Sequence, residues 1–236
     1  MSGWTARRFW TDAEVREGPD GFIVQLDGRD IRTPGKSALI MPTRALAEAV
    51  CKEWAAQGEK IDPGSMPVTR TVNSAIDKVA PQRESVIALI AEYGDADLLC
   101  YRATSPAELV RRQSEAWDPL LDWSAKTLNA RLLPRAGVIH KPQDAAALSR
   151  LTALIGALSD FELAAFHDLV SLSGSLIIGF AVLHSFDDDD RLWMTSRIDE
   201  IWQEQQWGKD DAASELAREK QSAFKTAADI LRMAKK

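Results

Sequence analysis

The sequence predicts an α+β protein in which a small N-terminal antiparallel β-sheet domain with one helix is followed by a larger, all-helical C-terminal domain. Two observations support this fold class. Residues 13–42 alternate short β-favouring runs with turn-forming residues. Beyond about Val68, apolar residues recur at the three- and four-residue spacing of helices. No strand–helix–strand alternation suggests a parallel sheet.

The β-rich region contains well-defined turn signals. Asp27-Gly28 is a strong two-residue hairpin signal, because both residues tolerate the backbone angles of such a turn. We expect three or four antiparallel strands from this pattern. In chain order, the segments are the turn Gly18–Gly21, the strand Phe22–Leu26, the hairpin turn, the strand Arg29–Thr33, the turn Pro34–Ser37 and the strand Ala38–Met41.

A first helix is predicted from Pro42-Thr43 through Trp54, ending near Gly58, because its apolar residues follow helical spacing. The stretch Ile61–Pro67, with two prolines and a glycine, is the most linker-like part of the first third. We therefore assign residues 1–75 to the N-terminal domain and residues 76–236 to the helical domain.

Several local signals place helix ends in the second domain. Ser105–Glu108 and Ser159–Glu162 both have the pattern of a capping box. Pro119 predicts a helix start or a kink, with Asp118 as its N-cap, because proline removes a backbone hydrogen bond. Asp187–Gly208 is predicted to be one helix, with carboxylates at its start and a glycine at its end.

The composition excludes several classes of protein. The 29 basic and 35 acidic residues give a net charge of −6, which argues against nucleic-acid binding. Two cysteines form at most one disulfide, which excludes a secreted disulfide scaffold. The charge-free stretch between Asp168 and Asp187 contains five polar residues, so we expect a core helix at Leu176–Leu183 and no membrane insertion. No secretory signal or transit peptide is visible, and we expect the chain to be monomeric by itself.

No local motif indicates catalysis, a metal site or a cofactor. Gly35-Lys36-Ser37 lacks the first glycine and the following helix of a phosphate-binding loop, so we interpret it as a hairpin turn. The histidines His140, His167 and His184 have no ligand spacing with each other or with the cysteines. The sequence therefore predicts no catalytic residue, no metal and no cofactor.

The predicted helix Asp187–Gly208 has an unusual polar face. At about 100° per residue, Met194, Ile198, Ile201 and Trp202 form an apolar stripe towards the core. The opposite face carries Glu200, Gln203 and Glu204 together with Trp193 and Trp207.

Exposed tryptophan beside carboxylates is typical of a protein-recognition surface. The alternative is that Trp193 and Trp207 pack against neighbouring helices, because tryptophan is highly buried on average. We treat Glu200, Gln203, Glu204, Trp193 and Trp207 as the candidate partner-binding residues.

An ordered series of segments over nearly the whole chain resembles a known family. The segments are Arg8-Phe9-Trp10, Leu26–Arg29, Thr33-Pro34, Glu53-Trp54, Met66–Thr69, Asn73–Asp77, Asp97–Arg102, Trp117–Trp123, Gly174–Leu176, Asp199–Gln203 and Trp207-Gly208. They are similar to the assembly chaperone of the F-type ATP synthase that attends the α subunit, ATP synthase assembly factor 2. Small departures are Trp10, where Tyr is usual, and Ser74, where Thr is more familiar.

The resemblance implies a non-enzymatic chaperone that binds the free α subunit at the surface later given to the β subunit. It places the family's important acidic residue at Glu200 and implies a structural role for Trp54. It also implies the cytoplasm of a bacterium, or the mitochondrial matrix if the source is eukaryotic. Two alternatives stay open: a soluble enzyme with a site assembled between the two domains, and a regulatory module that binds another protein.

Overall fold

The computed structural model describes residues 7–137 and 139–235, and Trp4, whose role the sequence leaves open, lies outside them. The chain forms two compact units. The first contains the described residues up to Arg83, together with Ser159–Ala165 and the end of the chain from Asp229. The second contains Glu84–Leu158 and Phe166–Ala228. The predicted division after residue 75 stays a prediction.

The first unit contains the expected antiparallel sheet. Its strands are β1 (Ala13–Gly18), β2 (Gly21–Leu26) and β3 (Arg29–Asp30), in the spatial order β1-β2-β3. Asp27 and Gly28 both have positive φ angles, 47° and 75°, which confirms the predicted hairpin turn. The predicted strand Ala38–Met41 is reduced to isolated bridges at its two ends.

The turn after β3 is held by a carboxylate from a later helical segment. Asp77 accepts hydrogen bonds from Thr33 Oγ1 at 2.7 Å and from the Gly35 amide at 2.8 Å. A Cβ atom at Gly35 would lie 2.7 Å from Asp77 Oδ1, so the turn requires glycine at this close approach. The Gly35-Lys36-Ser37 segment is therefore the tight turn that the sequence predicts.

Two helices of the first unit each have an identifiable cap. Helix α1 (Arg44–Ala55) begins after Thr43, whose hydroxyl accepts from the Leu46 amide, as expected for this segment. Helix α2 (Pro67–Ser74) receives its cap from Glu53, whose carboxylate accepts from the Val68 and Thr69 amides at 2.7 Å. A short 3₁₀ turn, Pro63–Ser65, lies between them.

The chain beyond α2 is almost entirely helical, which confirms the predicted α+β class. The predicted C-terminal domain is not all-helical, because it contains a short parallel pair of strands. These are β4 (Tyr101–Arg102) and β5 (Arg135–Ala136). The helices are α3 (Arg83–Asp95), α4 (Ala107–Trp123), α5 (Ala145–Gly156), α6 (Asp160–Ser173), α7 (Leu176–Leu183), α8 (Asp189–Ser196), α9 (Ile198–Trp207) and α10 (Asp211–Ala234).

Helix α7 forms the centre of the second unit, as expected for its apolar sequence. Its N-terminus is capped by the fully buried Asp97, which accepts from Ser175 Oγ at 2.8 Å and from the Ile177 amide at 3.0 Å. Burial raises the pKa of the Asp97 carboxyl to about 6, although these donors oppose the shift. Among the described residues, no helix has both the length and the apolar content to cross a membrane.

The predicted capping box at Ser105 and the predicted helix start at Pro119 are wrong. Helix α4 begins after Pro106 without a side-chain cap, so Ser105 does not form the predicted capping box. The same helix continues through Pro119. Pro119 and Glu115, whose carbonyl loses its partner, are exposed, so water can satisfy that carbonyl. Asp118 is therefore not an N-cap and instead pairs with Arg102 at 2.8 Å.

The second predicted capping box is confirmed. The Ser159 amide donates to Glu162 Oε2 at 2.8 Å, and the Glu162 amide donates to Ser159 Oγ at 3.3 Å. This reciprocal pair begins α6 where the sequence places its start.

Candidate functional site

The predicted single helix Asp187–Gly208 is divided at Arg197, where φ is −113° and ψ is 18°. The Ser196 hydroxyl donates to the Trp193 carbonyl at 2.7 Å, and the Thr195 carbonyl accepts from the buried Trp117 indole at 2.8 Å. Hydrogen bonds of this kind compete with the regular helical ladder. One helical wheel therefore cannot describe both α8 and α9.

The two candidate tryptophans have opposite environments. Trp193, in α8, is 2% exposed, and its ring packs 5.6 Å from the ring of Phe224. Trp193 therefore packs against a neighbouring helix and is not part of an exposed recognition surface. Met194, which the wheel assigns to the core, is instead 49% exposed, so the predicted faces of α8 are wrong. The helix is divided at Arg197, so residues of α8 do not continue the 100° rotation of α9. A helical wheel drawn for α9 therefore assigns the residues of α8 to the wrong faces.

Trp207, in contrast to Trp193, has a highly exposed side chain. It is the last residue of α9, followed by Gly208 with a φ of 91°, and it is 81% exposed. A tryptophan exposed to this extent offers a large apolar area for a partner to cover. Trp207 therefore has the exposure that an aromatic anchor requires.

The exposed face of α9 is acidic. The helix contains the carboxylates Asp199, Glu200 and Glu204 and no basic residue. Arg197, just before it, lies 3.9 Å from Glu200 and 3.5 Å from Glu204. One guanidinium is thus shared by two carboxylates, and the Glu200 side chain remains 52% exposed.

The Asp199 carboxylate is hydrogen-bonded within the second unit. Its carboxylate accepts from Gln113 Nε2 at 2.6 Å, and Gln113 Oε1 accepts from the Ala103 amide at 2.8 Å. Gln113 is buried, so this amide connects α4, the segment after β4 and α9 in the interior of the second unit. The Arg112 guanidinium lies 4.9 Å from the Trp202 ring centre and packs α9 on α4 from the other side.

Two grooves flank α9, and they differ in chemistry. We call the first the amide groove; its volume is 660 Å³ and its lining includes Pro106, Leu109, Trp202, Gln203, Gln206 and Trp207. We call the second the acidic groove; its volume is 410 Å³ and its lining includes Glu200, Gln203, Glu204, Trp207, Asp210 and Leu216. Gln203 and Trp207 line both grooves, so they form the ridge between them.

Four of the five predicted site residues thus come together on one groove, while Trp193 lies inside. Sequence reasoning missed Arg197, Gln206 and Leu216, which also line the grooves, and the positioning residue Gln113. Gln206 could have been found from its position three residues after Gln203, which places both on one side of the helix. The roles of Arg197 and Gln113 depend on contacts that local sequence does not encode.

The buried titratable groups of the second unit serve the fold. Asp97 caps α7, and burial raises the pKa of the neighbouring Cys100 thiol to about 12, which leaves it a neutral core group. Within residues 7–137 and 139–235, no three His, Cys, Asp or Glu side chains are arranged to hold a metal ion.

Comparisons with known proteins agree on one family. The profile of the ATP12 chaperone protein family matches residues 7–125. The crystal structure of Atp12 from Paracoccus denitrificans superposes with a TM-score of 0.94 at 46% identity, covering 98% of this chain and 99% of that one. The Atu1473 protein of Agrobacterium tumefaciens superposes with a TM-score of 0.92 at 38% identity, covering 97% and 86%.

A eukaryotic relative extends the comparison. The mitochondrial protein atp12 of Schizosaccharomyces pombe is 25% identical over 225 residues, which span 90% of this chain and 77% of the relative. The family profile, the relatives and the fold are consistent with one another. The chain belongs to the ATP12 chaperone family, a family of assembly chaperones for ATP synthase.

Proposed function

We propose that this protein binds the unassembled α subunit of the F-type ATP synthase and shields its subunit interface until the β subunit replaces the chaperone. The exposed face of α9 is the proposed contact surface, with Glu200, Gln203, Glu204 and Trp207 as its central residues. The role is non-catalytic and requires no cofactor.

The observation that carries this proposal is the exposed Trp207 beside an acidic helix face. An unassembled subunit presents an apolar interface that promotes aggregation. A chaperone that must also release its client needs an aromatic anchor with polar surroundings rather than a continuous apolar surface. Trp207, bordered by two glutamates and a glutamine, has this composition.

The compartment follows from the proposed client. We propose the cytoplasm for a bacterial source and the mitochondrial matrix for a eukaryotic one. The relatives are a mitochondrial protein and proteins from two bacteria, which supports either setting.

The proposal is tested by mixing the pure protein with separately produced α subunit and following light scattering. We expect aggregation of the α subunit to be suppressed at a near-equal molar ratio, and we expect added β subunit to displace the chaperone without renewed aggregation. Unchanged aggregation at equimolar and higher ratios would show that this protein does not protect the α subunit.

The surface is tested by the charge reversal Glu200→Lys, compared with Glu92→Lys. Both glutamates are exposed, but Glu92 lies in α3 and lines neither groove. We expect Glu200→Lys to weaken α-subunit binding at least about tenfold, because reversing the charge of a contact residue disturbs the electrostatic complementarity of the surface. Equal binding by the two folded variants would remove Glu200 from the proposed surface.

A further inference from the structure

The two grooves beside α9 differ in the charge that they present. In the amide groove, the basic lining group Arg102 already pairs with Asp118 at 2.8 Å, and the Asp199 carboxylate accepts from the neutral side-chain amide of Gln113 at 2.6 Å. An anionic group entering this groove would lose water without gaining a free opposite charge, which is unfavourable. The amide groove therefore selects against anionic occupants.

The remaining lining of the amide groove suits an uncharged peptide segment. Leu109, Trp202 and Trp207 offer apolar and aromatic surface. The side-chain amides of Gln203 and Gln206 each provide donors and an acceptor, which match the N–H and C=O groups of an extended backbone. An uncharged, largely apolar stretch of chain satisfies both kinds of surface.

The acidic groove favours a basic group. Three carboxylates line it, from Glu200, Glu204 and Asp210, against two basic groups, Lys220 and Arg197, and Arg197 is shared by both glutamates, so an excess of negative charge remains. Its wall also contains Leu216, which is 51% exposed. A lysine or arginine of a partner can place its aliphatic stem along such apolar surface while its charged end meets the carboxylates.

We propose that α9 binds a bipartite segment of the client, with an uncharged apolar stretch in the amide groove and a basic side chain in the acidic groove. The Gln203–Trp207 ridge separates the two parts. A helix with its side chains is about 10 Å wide, and an extended chain advances about 3.3 Å per residue. The basic residue therefore lies about three residues from the apolar stretch. This inference rests on the proposed function, since it describes the client of the same surface.

The spacing is tested with fluorescently labelled synthetic peptides that carry an uncharged apolar stretch and a single arginine about one, three or six residues away. Anisotropy titrations of the whole protein give their affinities. We expect the middle spacing to bind at least about fivefold more tightly than the other two and than a peptide without arginine. Equal affinities across the series would overturn the proposal.

The assignment of each part to its groove is tested with matched variants. Gln206→Glu places a charge in the amide groove and should weaken every peptide about tenfold. Gln205→Glu makes the same change one residue earlier, lines neither groove and preserves the acceptor for Arg112, so it should bind as the wild type does. Indistinguishable behaviour of these two variants would overturn the assignment.

Glu204→Gln isolates the acidic groove. It should reduce the advantage of the middle spacing by more than it changes the affinity for the peptide without arginine. The wild-type advantage should also shrink between about 0.05 M and about 0.5 M salt, because exposed ion pairs are screened. A spacing preference that is undiminished both by Glu204→Gln and by high salt would exclude the acidic groove as its origin.

The peptide series separates this inference from the proposed function. If the wild-type protein fails to protect the α subunit but retains the spacing preference, the proposed function is wrong and the bipartite recognition stands. If it protects the α subunit without any spacing preference, the proposed function stands and the bipartite recognition is wrong.

Discussion

Gln113 and Asp199 are joined by a hydrogen bond of 2.6 Å from the side-chain amide to the carboxylate. Asp199 and Glu200 are neighbours in sequence, but a helix turns by about 100° between successive residues, so they face different directions. The buried Gln113 determines that Asp199 is the inward carboxylate and leaves Glu200 on the exposed face.

Replacing Gln113 by alanine should therefore destabilise the protein and disturb α9. The Asp199 carboxylate and the Ala103 amide both lose their side-chain partner, and an unsatisfied buried group costs about 1–3 kcal/mol. Urea unfolding measures the loss. Gln206→Ala, at an exposed glutamine, is the control and should change stability by less than about 0.5 kcal/mol. Equal stabilities would show that Gln113 does not hold α9.

The two tryptophans should separate stability from binding. Trp193→Ala removes a buried ring that packs on Phe224 and should cost about 3–5 kcal/mol in unfolding free energy. Trp207→Ala should change stability by less than about 0.5 kcal/mol and weaken α-subunit binding at least about tenfold. Denaturation and binding titrations of both variants measure these effects. A folded Trp207→Ala variant with full affinity would contradict the proposed anchor.

Asp97 should make a contribution to the free energy of unfolding that decreases as the pH rises. Burial raises its folded-state pKa to about 6, above the ordinary value of 3.8. The folded state therefore binds a proton that the unfolded state has released, and this contribution to stability is complete below about 3.8 and lost as the pH rises through about 6.

Asp97→Asn removes that titration. We expect the unfolding free energy of the wild type minus that of the variant to decrease between about pH 4 and about pH 6. Urea titrations at several pH values give this difference. A difference that is constant or increases over the interval would show that the Asp97 pKa is not raised in the folded protein.

Asp77 should show the opposite pH dependence. The hydrogen bond from Thr33, followed by that from the Gly35 amide, lowers the pKa of its carboxyl below the ordinary value of 3.8. Its contribution to stability is therefore present above that value and is lost as the pH falls through the lowered one.

Asp77→Asn should lower the melting temperature near neutral pH, and its difference from the wild type should shrink in acid. Calorimetry at several pH values measures both effects. Asp20→Asn, at an exposed turn residue of the sheet region, is a suitable comparison because it changes the same charge. A melting-temperature difference independent of pH would contradict the lowered pKa.

Local signals predicted the parts of the fold that neighbouring residues control. Asp27-Gly28 forms its hairpin and Ser159 with Glu162 forms its capping box because each depends on residues within one turn. Pro119 stays inside α4 and does not start a helix, because its exposed position allows water to replace the lost hydrogen bond. That exposure depends on packing that the local pattern does not contain.

The sequence by itself determined the α+β class, the resemblance to a chaperone family and the acidic and aromatic composition of the candidate surface. The tertiary structure decided which side chains are exposed there. Residues that are distant in sequence made that decision, since Trp117 binds the Thr195 carbonyl beside the break at Arg197 and Gln113 holds Asp199. Because helix phase changes at such a break, only the folded chain could place Trp193 inside and Trp207 in solvent.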